Sequence, residues 1–237
     1  MRSYLNENIF SENCIFYYEE EDKVIKITER NWHKYLSEYG WEKINKKWIL
    51  KLNKLSKVKK KNSQYGVLDC GGDGDCLFHC ISYAINEYND TDTEKLRLEL
   101  SEYITEEKFK NIIEVYRILK ETDDFCEIWD PESTTFEDFK EILKEGGNNY
   151  WGDFLILELL KEFLDINIVV FYSNDNTSEY YNYPMLDIYD DKKDTIVLFY
   201  EDEIHFKLVG HFSGNMMNIR FNGKNIPHEI LSMVKIR

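Results

Sequence analysis

The sequence predicts an α+β fold, or an α/β-like sandwich, in which helices flank a sheet. A strongly apolar helical segment, residues 151–164, is followed directly by a short apolar strand at residues 166–172. Two further apolar segments, residues 195–200 and 205–209, are separated by a tight acidic turn and predict a β-hairpin. Helices and short strands mixed in this way indicate a sheet covered by helices.

Residues 1–64 are predicted to form a basic N-terminal accessory region. Local patterns there predict a hairpin of residues 15–18 and 24–28, a short helix that begins at Trp32 after Asn31, and an amphipathic helix from Trp41 to Leu55. Nine lysines fall between Lys43 and Lys61. A solvated helix face explains these lysines, and contact with an acidic partner is the alternative.

Residues 65–212 are predicted to form the main domain, and residues 213–237 a C-terminal extension packed on it. The predicted helices of the main domain are residues 76–88, one or two within residues 92–120, a short helix over residues 136–143 that ends at Gly146 and Gly147, and residues 151–164. Apolar residues recur from Phe212 to Val234 and indicate that much of the extension is buried.

Charge is unevenly distributed along the 237 residues, whose formal net charge is −15. Residues 1–65 carry 14 Lys and Arg against 9 Asp and Glu, whereas the rest of the chain carries 16 basic and 36 acidic residues. A body this acidic repels nucleic acid and favours basic partners. We therefore expect no nucleic-acid partner, and we expect a monomer.

The cysteine content and the hydropathy pattern indicate a cytoplasmic protein in a reducing compartment. No segment has the apolar core of a signal peptide or the ~18 uninterrupted apolar residues of a membrane span. The five cysteines, an odd number, are most simply free thiols. Cys76 and Cys80 lack the second ligand pair that zinc needs, and a calcium loop starting at Asp69 would place Cys80 where glutamate is required. No metal or cofactor is expected.

The glycine-rich segment Cys70–Asp75 leads directly into a predicted helix at Cys76. Unpaired N–H groups and the positive end of the helix dipole stabilise a thiolate at such a position. Glycines let backbone N–H groups approach a bound carbonyl, as an oxyanion hole requires. Cys76 is therefore the candidate nucleophile.

A thiol nucleophile needs a histidine base within hydrogen-bond reach. His205 begins a predicted strand directly after an acidic turn, a place where catalytic groups are often displayed. His211 is the second candidate, and a purely structural role for both histidines is the remaining reading.

These motifs resemble those of the ovarian tumour (OTU) cysteine proteases, which remove ubiquitin. Residues Asp73–Phe78 are similar to the family's Asp-Gly-x-Cys motif with its following apolar residues. Trp151-Gly152 at the start of an apolar helix resembles a second family element, and His205-Phe206 resembles the family's catalytic histidine and following aromatic. The three motifs occur in the same order as in the family and span about residues 66–212. The resemblance is stronger to divergent viral and intracellular-bacterial members.

The resemblance implies a papain-like core, with a small central sheet, that hydrolyses the isopeptide bond at the C-terminal glycine of ubiquitin or polyubiquitin. Cys76 would be the nucleophile and His205 the base. Backbone N–H groups from Asp73 to Cys76, including those of Gly74 and Asp75, would hold the oxyanion. Phe206 and Trp151 are candidates to line the substrate channel or simply to pack in the core.

Lys207 departs from the family pattern, which often has Asp or Asn two residues after the histidine. A lysine cannot accept a hydrogen bond from imidazole. Asp73 is the first choice for the orienting acid by resemblance, and Asp69, or a residue before it, is the alternative. The departure keeps two other functions open, an isopeptidase for a ubiquitin-like modifier and a ubiquitin-binding module with little or no activity.

Overall fold

The structure is a computed structural model that describes residues 2–57, 61–86, 92–174, 179–183, 189–202 and 204–234. By its backbone contacts the chain divides into two compact units. The first unit comprises residues 1–70 and 167–237, and the second comprises residues 71–166. Within the described ranges, no helix has the length and apolar character needed to span a bilayer.

Twelve strands and eight α-helices are present in the described residues. The strands are β1 (Ser3–Tyr4), β2 (Ile9–Glu12), β3 (Ile15–Glu20), β4 (Lys23–Lys26), β5 (Trp41–Lys43), β6 (Tyr65–Leu68), β7 (Asn167–Asn174), β8 (Glu179–Tyr183), β9 (Thr195–Glu201), β10 (His205–Ser213), β11 (Met216–Asn218) and β12 (Arg220–Phe221). The helices are α1 (Trp32–Tyr35), α2 (Lys46–Ser56), α3 (Cys76–Ile85), α4 (Thr93–Tyr103), α5 (Glu106–Glu121), α6 (Phe136–Glu145), α7 (Phe154–Leu164) and α8 (His228–Val234).

The first unit begins with an antiparallel sheet in the order β1-β2-β3-β4. The predicted hairpin corresponds to β3 and β4, whereas β1 and β2 were not predicted. The connection between β2 and β3 uses Asn13 and Cys14, both at positive φ, which is the backbone geometry of a tight hairpin turn. A cysteine in this conformation gives no recognisable turn signal, so the β2–β3 hairpin could not be predicted from the sequence.

The main sheet of the first unit has the order β5-β6-β10-β9-β7-β8, with β11 paired to β10 and β12 to β9. The predicted hairpin is confirmed, because β9 and β10 are antiparallel neighbours with His205 opposite Glu201. Strand β7 runs parallel to β9. Antiparallel and parallel pairs therefore mix in one sheet.

The predicted helix from Trp41 to Leu55 is wrong in its first part. Residues 41–43 form β5, which pairs with β6 in the main sheet, and the helix begins only at Lys46. Asn45 caps this helix, since its side chain accepts a hydrogen bond of 2.9 Å from the backbone N–H of Lys47. Trp41 has no exposed surface, so tertiary burial in the sheet overrides the helical spacing.

The pairing of β5 with β6 crosses the predicted domain boundary at residue 64. Residues 41–43 and 65–68 are neighbours in one sheet, and both belong to the first unit. The contact-based boundaries fall instead at residues 70 and 166. The predicted main domain of residues 65–212 thus draws on both units, and its extent as a catalytic domain stays a prediction.

Helices α2 and α8 pack together in the first unit, against residues of the main sheet. Trp48 of α2 is fully buried and stacks on Phe171 of β7 with ring centroids 4.5 Å apart. Ile230 and Met233 of α8 join the same apolar cluster. Some residues after 212 therefore belong to this apolar cluster.

The second unit consists of α3 to α7 and their connections. Helix α3 ends at Ile85, and the last residues of its predicted extent, 87 and 88, lie outside the described residues. The predicted segment 92–120 is two helices, α4 and α5. Thr135 and Asp138 form a reciprocal capping box at the start of α6.

Candidate active site

The loop before Cys76 is a tight turn that ends at the first residue of α3. Gly71, Asp73 and Gly74 have φ values of +129°, +57° and +88°. The N–H of Asp75 donates to the carbonyl of Gly72 at 3.1 Å and closes the turn. That N–H is therefore used inside the loop, while the oxyanion roles of Gly74 and Asp75 stay predictions.

Cys76 occupies the first position of α3 and is partly exposed. The two apolar residues after it, Leu77 and Phe78, are fully buried and anchor the first turn of the helix. A thiol at this position faces the positive end of the helix dipole. The role of Cys76 as nucleophile stays a prediction.

Asp75 directs its carboxylate toward buried Arg97 of α4. The Nε of Arg97 donates to Asp75 Oδ1 at 2.7 Å, and the backbone N–H of Gly147 donates to the same oxygen at 3.1 Å. A Cβ on Gly74 would overlap the carbonyl oxygen of Gly147, so these two backbones require the glycine at position 74. Neither Arg97 nor Gly147 was predicted to act at the site.

His205 is the first residue of β10 and lies beside Asp69, which follows β6. Its Nε2 is 3.1 Å from Oδ1 of Asp69, within ion-pair distance. The antiparallel pairing of β10 with β6, in which Leu208 faces Leu68, brings these two strand ends together. Asp69 is one of the two acids left open by the sequence. Asp73, the other, is exposed and at positive φ, and its role stays a prediction.

Lys207 pairs with a carboxylate rather than with the imidazole. Its Nζ lies 2.6 Å from Oε2 of Glu201 across the β9–β10 hairpin. Phe206 is 2% exposed, and its ring stacks on Tyr200 with centroids 4.4 Å apart. This geometry favours the packing role for Phe206, while a role in the substrate channel stays a prediction.

His211, the second candidate base, belongs to a polar cluster in the first unit. Its Nε2 lies 2.8 Å from Nδ2 and 3.1 Å from Oδ1 of Asn62. Burial lowers the pKa of His211 to about 4, partly offset by the charge of Glu229. An imidazole with so low a pKa is a poor proton acceptor near neutral pH, which argues against His211, while the role of His205 as base stays a prediction.

The Trp-Gly element precedes α7 and contacts the nucleophile helix. A Cβ on Gly152 would lie 2.5 Å from Cδ2 of Leu77 in α3. Asp153 caps α7 by accepting from the N–H groups of Leu155 and Ile156 at 3.0 and 3.1 Å. Trp151 is 49% exposed. An exposed ring is compatible with substrate contact, which stays a prediction for Trp151.

Arg97 is the residue of the site that the sequence analysis missed. A signal is present, because Arg97 lies on the face of α4 that also carries the buried residues Thr93, Leu100 and Ser101. An arginine within a buried helical stripe needs a partner for its charge. Asp75 fills that need.

Among the described residues, no three potential ligands cluster as a metal site would require. None of the five cysteines forms a disulfide; Cys80 is buried, and Cys14 and Cys126 are exposed.

Comparison with known proteins supports the resemblance. The sequence model described as OTU-like cysteine protease matches residues 71–212, which is more than half of the chain. A search of curated proteins by sequence gave no match.

Similar solved structures include an ovarian tumour (OTU) domain in complex with ubiquitin, at 16% identity and a TM-score of 0.44, with 72% of this chain and 83% of that chain covered. An OTU deubiquitinase from Wolbachia pipientis wMel is 17% identical with a TM-score of 0.41, covering 64% of this chain and 93% of its own. The viral OTU domain protease from Dera Ghazi Khan virus is 15% identical with a TM-score of 0.39, and the match covers 63% of this chain and 82% of that chain.

The family match includes the loop before Cys76, the Trp-Gly element and the strand that begins at His205. It confirms the resemblance drawn from those three motifs, together with the predicted α+β fold class and the class of enzyme. The chain belongs to the family of OTU-like cysteine proteases.

Proposed function

We propose that this protein is a deubiquitinase that cleaves isopeptide bonds at the C-terminal glycine of ubiquitin, with Cys76 as nucleophile and His205 as base. The observation that carries the proposal is that the family match contains both residues, each in a suitable local structure. Cys76 begins a helix after a glycine turn, and His205 lies beside an acid.

The reaction follows from the chemistry of these groups. His205 takes the thiol proton, and Cys76 Sγ attacks the carbonyl carbon of the terminal glycine. His205 then gives the proton to the departing lysine amine, which leaves a thioester between ubiquitin and Cys76. Water, activated by the same imidazole, hydrolyses the thioester and frees the thiol. Asp69 is our candidate for the acid that orients the imidazole, because its Oδ1 lies 3.1 Å from Nε2 of His205.

Two alternatives have some support from the chain. The first alternative is that this protein acts on a ubiquitin-like modifier. The residues described here determine the chemistry of the reaction and do not determine which modifier is bound. A non-catalytic ubiquitin-binding module was suggested by Lys207. The pairing of Lys207 with Glu201, and of His205 with Asp69, weakens that alternative, since an orienting acid is available elsewhere.

The test is covalent labelling by ubiquitin that carries a cysteine-reactive group at its C-terminus. We expect the wild type to be labelled, Cys76→Ala to be unlabelled, and His205→Ala to be labelled far more slowly. Cys126→Ala is the matched control, because Cys126 is an exposed thiol and its loss should change nothing. Labelling by a modifier-based probe alone would support the isopeptidase alternative. Binding of ubiquitin without labelling would support the binding module.

We also place the protein in a reducing, cytoplasmic compartment. A thiol nucleophile must stay reduced to attack, and none of the other four cysteines forms a disulfide. Detection of a disulfide in protein isolated from cells under alkylating conditions would contradict this placement.

A further inference from the structure

We propose that Arg97 and Asp75 are positioning residues that hold the loop of Cys76 in its reactive geometry, so that they set the rate of the chemical step and not the affinity for substrate. The inference rests on the proposed function, because it assumes that Cys76 is the nucleophile. Each contact that carries it lies within the second unit.

Arg97 is a buried cation with its donors directed at three separate segments. Its side chain is 2% exposed. Nε donates to Asp75 at 2.7 Å, Nη1 to the carbonyl of Leu143 at 3.2 Å, and Nη2 to the carbonyl of Tyr150 at 3.1 Å. Burying a guanidinium costs free energy unless its donors are satisfied and its charge is paired. The three partners together meet that need.

Arg97 also contacts both sides of the nucleophile. Its guanidinium carbon lies 3.7 Å from the ring centroid of Phe78, two residues after Cys76, while Asp75 directly precedes Cys76. A planar guanidinium can stack on a ring and bind a carboxylate at the same time. One buried side chain therefore contacts the side chains of a residue before Cys76 and a residue after it.

The side chain of Asp75 does not cap α3, although Asp75 is the N-cap residue. It is the N-cap residue of α3, where an aspartate side chain normally accepts a hydrogen bond from the first turn at a gain of about 1 kcal/mol. Asp75 makes no such bond, and its Oδ1 instead accepts from Arg97 and from the N–H of Gly147. The carboxylate is used to tie the loop to α4 and to the segment before Tyr150.

Two glycines allow the close packing around this ion pair. A Cβ on Gly146 would overlap the guanidinium of Arg97, and a Cβ on Gly74 would overlap the carbonyl oxygen of Gly147. Both glycines are at positive φ. Loss of the Asp75 carboxylate would remove the hydrogen bonds from Arg97 and from the N–H of Gly147, so we expect the loop to move by up to about 1 Å.

The experiment compares steady-state kinetics of Asp75→Ala, Asp75→Asn and wild type on ubiquitin with a fluorogenic C-terminal amide. A displacement of about 1 Å in a reacting group can cost about 100-fold in rate, so kcat should fall by about that factor in Asp75→Ala while KM changes by less than about twofold. Asp75→Asn keeps an oxygen that can accept from Arg97 and Gly147, and it should recover much of the lost kcat. Glu162→Gln, which breaks the Lys108–Glu162 pair in the same unit, is the matched control and should keep the wild-type kcat.

Hydrogen exchange at the backbone amides of residues 71–76 supplies a readout that does not require ubiquitin. We expect faster exchange there in Asp75→Ala and unchanged exchange in α5. A wild type that fails to turn over ubiquitin would remove the proposed function, and the exchange measurement would still decide the role of the ion pair. Unchanged exchange in Asp75→Ala, or a rise in KM at constant kcat, would overturn the positioning role.

Discussion

His205 and Lys207 point to the same side of β10 but have different partners. Alternate residues of a strand share a face, so both side chains lie near the carboxylates of neighbouring strands. Asp69 lies 3.1 Å from the imidazole, and Glu201 lies 2.6 Å from the ammonium of Lys207. The lysine that departs from the family pattern is thus paired with Glu201, and the acid nearest the imidazole follows the end of another strand, β6.

Replacement of Asp69 by alanine should slow the enzyme more than replacement of Lys207. General acid–base catalysis contributes about 10²–10⁴-fold, and loss of the orienting acid should remove about 10- to 100-fold of it from kcat. Thiol enzymes tolerate a weak third member, so activity should not vanish. Steady-state kinetics on a ubiquitin substrate measures the effect. Lys207→Met is the control, expected at the wild-type kcat, and equal losses in both variants would contradict the assignment of Asp69.

The sequence provided candidates for the nucleophile and the base but not for the residues that support them. Cys76 and His205 belong to motifs with a fixed local pattern. Asp69 could not be separated from Asp73, because only the pairing of β6 with β10 brings Asp69 to the imidazole. Arg97 shares a helical face with Thr93, Leu100 and Ser101, but this signal was not used because several other charged residues lie on the same helix.

At the scale of the helices, the Trp-Gly element before α7 packs directly against α3. Gly152 precedes α7, and the hydrogen that replaces its side chain lets Leu77 of α3 pack against the backbone. Two motifs of the family, far apart in sequence, are therefore linked by one steric contact. The contact explains in physical terms why a glycine follows the tryptophan.

Gly152→Ala should destabilise the protein by about 1–3 kcal/mol, the usual cost of forcing an extra methyl group into a packed site. The added Cβ would lie 2.5 Å from Cδ2 of Leu77, which is fully buried. Urea denaturation followed by tryptophan fluorescence measures the change. Gly72→Ala is the matched control, because nothing lies within 4 Å of a Cβ at that position, and it should cost less than about 0.5 kcal/mol. An unchanged midpoint for Gly152→Ala would show that Leu77 can move aside.

Elements with strong local signals were predicted, and those fixed by long-range pairing were not. The β9–β10 hairpin and α7 follow from continuous apolar segments and a short turn. Strand β5 was taken as the start of a helix, because Trp41 continues the three- and four-residue spacing of α2. Its pairing with β6, across more than twenty residues, decides its structure. Local spacing carries no information on such a pair.

For the whole molecule, the first unit is discontinuous in sequence: the chain leaves it after Cys70 and returns at Asn167. A sequence-based boundary marks where composition changes, whereas this unit is closed by strand pairing and side-chain contacts between its ends. Asn62, before β6, binds both His211 of β10 and Glu229 of α8. Tyr65 donates to the same carboxylate of Glu229 at 2.9 Å. This buried cluster joins three distant segments of the chain.

The His211 cluster should make the stability of the protein depend on pH. Burial lowers the pKa of His211 from 6.5 to about 4, so below pH 6.5 the unfolded chain binds a proton that the folded protein does not. The stabilisation is complete above pH 6.5 and is lost as the pH falls toward 4, and a shift of this size corresponds to about 3 kcal/mol. We expect the unfolding free energy of wild type to fall by about that amount more than that of His211→Gln over this range, as measured by urea denaturation. His228→Gln, at the exposed start of α8, is the control and should follow the wild-type curve. Parallel curves for wild type and His211→Gln would mean that His211 is protonated in the folded protein, with the charge of Glu229 outweighing burial.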